Sequence, residues 1–431
     1  MLSSQAAALP KILRHDADPL IDDVVSMPDS GAFSAAPTTD SLPLPSFTLR
    51  GRKLLPVVQG GMGVGISAHR LAGSVAACGA LGTLSSVDLR RHHPDLMAAT
   101  GHLAASETAK AAINEANLVA LDRELKAARE LSGGRGALAV NVMRAVSEYA
   151  HYVVQACKSG ADAIVVGAGL PLDLPDLTSD FPDVALIPIL SDSRGIALVL
   201  KKWERRGRLP DAIVIEHPKY AGGHLGAAKV EDIDDPRFDF ERVIPETLEL
   251  MRAHGLGERD IPLIPAGGIN SHERVRELLE LGASAVQLGT AFAVSVESDA
   301  HLNFKRVLAD ADEDDVVEFM SVAGLPARAV RTPWLAKHLE HEARKTELAR
   351  KKPRCVMIFD CLIQCGLRDG IAKFGQFCID RQLASALRGD VDKGLFFRGA
   401  SKLPFGKEIR PVADLINYLM TGQREAVAVA A

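Results

Sequence analysis

The chain of 431 residues is 47% hydrophobic and carries a formal net charge of −5 at pH 7. It can bury a sizeable core, and it offers no basic stripe for nucleic acid or for an anionic membrane. No apolar run is long enough to cross a bilayer, and the opening MLSSQAAALPKILRHDADPL lacks the uninterrupted apolar segment of a secretion signal, so the cytoplasm is the expected compartment.

Residues 1–49 are rich in Ala, Ser, Pro and Asp without periodicity and read as a mobile leader. Leu54–Val58 is then an apolar run that ends in Gln59, Gly60, Gly61, Met62 and Gly63, followed by a helix pattern over His69–Cys78. This strand, glycine loop and helix form a unit that recurs. Further short apolar runs lie at Ala80–Ser85, Ala137–Val142, Asp162–Val166 and Ala185–Leu190, then at Asp211–Glu216, Ile261–Pro265 and Ala285–Leu288. The long interval between the second and third runs predicts two helices, His102–Ala116 and Leu118–Leu131, the second ended by Gly133 and Gly134.

Eight near-continuous apolar strands separated by helices predict a parallel sheet covered on its outside, closed as a (β/α)8 barrel. An open doubly wound sheet is the rival fold. Glycine loops after units one, four, six, seven and eight favour the barrel, because they gather flexible residues on one rim instead of at one switch point. The barrel is expected over residues 50–298. A mostly helical second domain follows over 299–390, with the charged run EARKTELARKKPR as a solvated helix face, and residues 391–431 are expected to return to the barrel.

Reactive groups of such a barrel sit after the carboxyl ends of its strands, often with phosphate held after strands seven and eight. Gly267 and Gly268 follow the seventh run, and Gly289 and Thr290 the eighth. Their bare amides, with a helix starting near Ser271, suit phosphate oxygens. Gly61, Met62 and Gly63 after the first run allow a flat ligand to lie against backbone and thioether. Asn141 after the third can exchange two hydrogen bonds with a heterocycle edge, and Gly167 and Gly169 provide room after the fourth. The stretch IVIEHPKYAGGHLG closes the sixth unit in Gly222, Gly223 and His224, so an imidazole with acid–base chemistry follows a tight turn. Together these positions describe a slot for a planar, phosphorylated cofactor, for which flavin mononucleotide (FMN) is the candidate.

Six cysteines in so long a chain are not a disulfide framework. Cys78 and Cys157 fit helix cores. Cys355, Cys361, Cys365 and Cys378 form a C-x5-C-x3-C-x12-C arrangement, read here as reduced structural thiols in preference to an iron–sulfur or zinc site. No metal is therefore expected. His92, His93 and His301 lie in polar surroundings and are expected at the surface.

From Leu55 to about Arg331 the motifs LPVVQGGMG, VVGAGLP, AGGHLG, IPAGGI and QLGTAF resemble those of the nitronate monooxygenase family, formerly called 2-nitropropane dioxygenases. That family comprises FMN-containing (β/α)8 barrels and includes an enoyl-acyl-carrier-protein reductase branch. The resemblance implies FMN phosphate on Gly267, Gly268, Gly289 and Thr290, with the ring near Gly61, Met62, Asn141 and Gly167. It also implies that His224 is the catalytic histidine. The implied activity is an oxidoreductase reaction, in which alkyl nitronates and O2 give a carbonyl compound and nitrite. His217, Pro218, Lys219 and Tyr220 stand where family members carry a glycine, a variable residue and a glutamate, so substrate choice stays open; His217 reads as a strand cap. Two further functions stay in view. One is an NAD(P)H-dependent flavin reductase of enoyl thioesters or quinones, and the other a non-redox phosphate-binding lyase or isomerase.

Overall fold

The eight apolar runs form eight parallel strands whose order around the barrel follows the chain: β1 (Val57–Gln59), β2 (Leu81–Ser85), β3 (Ala137–Met143), β4 (Ala163–Gly167), β5 (Ala185–Leu190), β6 (Ile213–Glu216), β7 (Leu263–Ala266) and β8 (Val286–Leu288). The computed structural model describes residues 44–257, 260–349, 355 and 359–424. The sheet closes where Val286, Gln287 and Leu288 pair with Val57, Val58 and Gln59. Alternation along the strands explains why the runs are apolar throughout. Ala139, Val165, Ile187, Val214 and Ile264 fill the barrel interior, while Val140, Ile164, Leu186, Ile213 and Leu263 pack in a second cluster with the surrounding helices.

The leader reading fails at its last residues. Phe47–Leu49 and Arg52–Leu54 form an antiparallel hairpin in which Phe47 pairs with Leu54, and Phe47, Leu49 and Leu54 pack with the interior residues at the strands' amino ends. Leu54 belongs to this plug, and β1 begins after Pro56. Two three-residue strands are too short to show alternation, so only the need to cover the barrel floor marks them. Residues 1–43 lie outside the described residues.

The two helices expected between β2 and β3 are also corrected. Residues Glu107–Ser132 form one helix of 26 residues, preceded by the short helix Pro94–Thr100. Ser106 caps its start by accepting from Ala109 N at 3.1 Å, and Gly133 ends it at φ 58°. Asn117, between the two expected helices, is buried inside the continuous helix; its Oδ1 accepts the Arg90 amide at 3.2 Å, while its Nδ2 has no hydrogen-bond partner among the described residues.

Beyond β8 the chain is helical over Leu302–Asp310, Pro333–Glu340 and Glu342–Ala349, and again over Ile379–Leu387. An antiparallel strand pair, Val316–Met320 with Pro326–Val330, interrupts these helices; composition did not reveal it. Its second strand pairs back onto Gly223 and His224. The last helix, Val412–Thr421, packs against the barrel helices His69–Ala77 and His272–Glu280. No described helix is long and apolar enough to cross a membrane.

Candidate active site

A cavity of about 290 Å³ opens at the carboxyl ends of the strands, the face on which barrels of this type carry their chemistry. It brings together twelve residues named above as candidate catalytic and cofactor-binding groups. Gly61, Met62 and Gly63 come from the loop after β1, Asn141 from β3 and Gly167 from β4. Gly222, Gly223 and His224 follow β6; Gly267 and Gly268 follow β7; Gly289 and Thr290 follow β8.

Close approach explains the loop after β1. A Cβ on Gly61 would stand 2.3 Å from the Asn141 Cβ, so only glycine lets Asn141 reach the cavity beside it. The adjacent strand end is fixed by Gln59, fully buried, whose side chain accepts from Thr83 N at 2.8 Å and donates to Thr83 O at 3.0 Å. Met62 is held by its amide donating to Ser67 Oγ at 2.8 Å, and its sulfur lies 3.8 Å from the point where a Gly289 Cβ would be. Gly267 and Gly268 adopt φ of 101° and 76° and line the cavity just ahead of the helix capped by Ser271.

His224 is set by elements that the sequence reading did not connect. Its backbone pairs with Ala327, and Leu225 N donates to Pro326 O at 2.8 Å. The preceding loop is clamped by Arg328, 1% exposed, whose Nη1 donates to Pro218 O at 2.9 Å and to Ala221 O at 2.6 Å, while its Nε donates to Glu318 at 2.7 Å. Phe397 lies 5.8 Å from the imidazole, centroid to centroid. The buried Nε2 of His224 has no hydrogen-bond partner among the described residues. Burial pushes the imidazole down to about 4, so it is neutral at physiological pH.

Sequence reasoning missed Glu216. It ends β6 and lines the cavity, and burial raises its carboxyl to about 7. In the sequence it reads only as the polar last residue of a strand. Ser401 and Lys402 were missed as well. The tail carries them to the cavity beside the β7 loop, where Asn270 Nδ2 donates to Lys402 O at 3.1 Å, Gly399 N donates to Thr290 Oγ1 at 3.0 Å and Ala400 N to Tyr220 O at 3.2 Å. Their signal was the short glycine-flanked stretch GASKLPFG.

His92, His93 and His301, expected at the surface, are half-buried. His217 is 4% exposed; its ring lies 3.3 Å from Asp239 and accepts from Lys219 N at 3.3 Å, so it braces the turn below His224. His93 and His69 both contact the buried carboxylate of Glu124, at 3.0 and 2.8 Å, and His92 bonds Gly65 O at 2.9 Å. His301 caps the helix Leu302–Asp310 by accepting from Asn303 N. All six cysteines are free, and among the described residues no group of three or more His, Cys, Asp or Glu side chains closes tightly enough to hold a metal ion.

Fold and cavity define a (β/α)8 barrel whose loops offer a glycine-lined slot, a neutral imidazole and a carboxyl group at one rim. Within that class, residues 52–422 match the family model for nitronate monooxygenase, and the chain belongs to that family. It is similar to a probable nitronate monooxygenase of Bacillus subtilis (30% identity over 141 residues, 33% of this chain and 37% of the relative). A putative nitronate monooxygenase of Saccharomyces cerevisiae is 34% identical over 121 residues, 27% of this chain and 30% of the relative. The chain thus aligns with about a third of the length of these curated relatives. Among solved structures, FabK from Thermotoga maritima superposes with a TM-score of 0.57 at 22% identity, covering 84% of this chain and 91% of that one. The nitroalkane oxidase from Streptomyces ansochromogenes does so with 0.55 at 21%, covering 88% and 96%. At these identities the superpositions show the shared fold.

Proposed function

We propose that this protein is an FMN-dependent nitronate monooxygenase, converting alkyl nitronates and O2 to a carbonyl compound and nitrite. The observation that carries this reading is the unpartnered Nε2 of a neutral His224 in the same cavity as the glycine loops after β1, β7 and β8. The residues fit the group. Gly267, Gly268, Gly289 and Thr290 offer amides and a hydroxyl for phosphate, Lys402 adds a cation at the same end, and Gly61 and Asn141 leave a slot for a flat ring. Bound FMN supplies the redox chemistry, accepting electrons from the substrate and passing them to oxygen.

The chain's own residues handle charge and protons. A histidine with pKa about 4 is a weak base but a competent N–H donor, so His224 is suited to hydrogen-bond the oxygen of a preformed nitronate. When the neutral nitroalkane binds, the tautomer that leaves Nε2 unprotonated takes the proton next to the nitro group there, and the anion so formed stabilises the imidazolium. Glu216 is protonated below about pH 7, which lets an anionic nitronate enter beside it without repulsion. Arg328 and His217 act through the loop that carries His224 and are positioning residues.

A second reading is favoured by one feature. Val146, Leu362, Ile379, Leu383 and Leu395 give the cavity an apolar wall larger than a small nitronate needs, which suits an NAD(P)H-dependent reductase of enoyl thioesters. One comparison separates the two. Purified protein incubated with propionate 3-nitronate and O2 should release nitrite without NAD(P)H. Steady NAD(P)H consumption with an enoyl thioester and no nitrite release would sink the first reading.

A further inference from the structure

The strand Pro326–Val330 pairs along one edge with Val316–Met320, and its other edge holds two separate pieces of chain. Gly223 and His224 lie there opposite Arg328 and Ala327, and Phe397 of the tail lies opposite Ala329. Val330 N donates to Phe396 O at 2.9 Å and Arg398 N to Arg328 O at 3.4 Å, so the tail follows on where the β6 loop leaves the edge. Ala327 and Ala329 stand two residues apart and project from one face of the strand. Their partners share that face, which sets the imidazole of His224 beside the ring of Phe397, with centroids 5.8 Å apart and planes inclined by 56°.

Backbone contact fixes this placement. A Cβ on Gly222 would stand 2.6 Å from Gly399 N, and one on Gly399 would stand 2.7 Å from Tyr220 O, so the β6 loop and the tail cross at two glycines. Gly399 N donating to Thr290 Oγ1 and Ala400 N donating to Tyr220 O tie the crossing to the β8 and β6 loops. Phe397 itself is half-buried and lines the cavity together with His224.

We propose that Phe397 is a specificity-determining residue, whose ring shields His224 from water and receives the alkyl chain of the substrate next to the carbon that loses its proton. This rests on the reading of the protein as a nitronate monooxygenase. His224 lines the cavity, yet its Nε2 is buried and has no hydrogen-bond partner among the described residues. A polar atom in that state is covered by apolar groups, and the ring of Phe397 stands beside it. Burial is the cause of the depressed imidazole pKa, with no charge among the described residues contributing. Arg328, between the two alanines, extends from the opposite face of its strand to the loop carbonyls, and Glu216 is the carboxyl of the β6 end of the cavity. Leu362, Leu383 and Leu395 line the same cavity and add apolar surface for a chain of several carbons. The substrate class is therefore a nitroalkane, or its nitronate, on an extended uncharged alkyl chain.

Two measurements on the full-length protein with FMN bound test this. The first is a pH titration of the histidine ring signals by NMR, with the His224 signal assigned by its loss in His224→Asn. Phe397→Ala should move the His224 titration up from about 4 toward the ordinary histidine value of about 6.5, and Phe397→Leu, which stays apolar, should leave most of the depression in place. The second is KM along the series from nitroethane to 1-nitropentane. In the wild type KM should fall about 3- to 4-fold per added methylene, and Phe397→Ala should remove most of that gain while Phe397→Leu keeps it. Should Phe397→Ala fail to fold, Phe397→Val is read in the same way. The titration needs no substrate, so if the wild type releases no nitrite and the nitronate reading fails, it still decides whether Phe397 covers His224. A folded alanine or valine variant in which the His224 titration stays near 4, or in which the chain-length dependence is that of the wild type, overturns the proposal.

Discussion

His224 is paired in antiparallel register with Ala327, a residue that lies beyond the barrel on a strand of its own. The candidate catalytic imidazole is therefore held from two sides, by the β6 loop that carries it and by the strand Pro326–Val330. Arg328 on that strand completes the grip through two carbonyls of the same loop.

The first prediction concerns His224. His224→Asn should keep FMN bound but lower turnover of neutral nitroalkanes by about 10²- to 10⁴-fold, the usual range for a positioned base. Preformed nitronates should lose less, since they need only the hydrogen bond. Because the group's pKa is depressed to about 4, the wild-type base stays neutral as pH falls from 8 to 5 and is lost only near 4. A nitroalkane profile that falls already between pH 7 and 6, and is unchanged by the substitution, contradicts this role.

Glu216 should impose the opposite limb. Its carboxyl is raised to about 7, so activity toward anionic nitronates should decline as pH rises through 7 and the carboxylate forms beside them. Glu216→Gln should flatten that limb. The sign for stability follows from linkage: a carboxyl whose folded pKa is raised stabilises the fold below its unfolded pKa, near 4.5, and that contribution is lost as pH rises through 7. Denaturant titrations at pH 4.5 and 8 should therefore show a smaller pH difference in the variant than in the wild type.

Arg328→Met removes three donors from a fully buried position. Leaving the two loop carbonyls unpaired should cost about 1–3 kcal/mol for each group that water cannot reach. In the folded fraction, kcat should fall more than FMN affinity, because the imidazole is displaced while the β7 and β8 loops are untouched. Equal loss of both would point to general unfolding.

The barrel and its rim were legible in the sequence for a physical reason. Strands such as Ala137–Met143, buried on both faces, must be apolar throughout, and glycine must stand where the backbone closely approaches a neighbouring side chain, as Gly61 does beside Asn141. What escaped depends on contacts between distant segments. The plug strands Phe47–Leu49 and Arg52–Leu54 are too short to show a period. The pairing of His224 with Ala327 joins residues about a hundred positions apart. Glu216 is marked by its buried surroundings and not by any motif.

Leu54 tests the plug. It is fully buried among the interior residues, and Leu54→Ala should destabilise the fold by about 2–5 kcal/mol, as cavity-forming substitutions do. Thermal unfolding followed with and without FMN should show the loss in both states, since the plug lies at the end of the barrel opposite the cavity. A melting temperature within a degree of the wild type would mean that the hairpin contributes little to the core.

The measurement closest to the central claim is a titration of flavin-stripped protein with FMN, followed by flavin fluorescence, in parallel with riboflavin. One FMN per chain should bind, with riboflavin much weaker because it lacks the phosphate suited to Gly267, Gly268 and Gly289, and Gly61→Ala should abolish or severely weaken FMN uptake through the clash with Asn141. A folded protein that takes up no FMN, or that binds FMN and riboflavin alike with Gly61→Ala unaffected, contradicts the account.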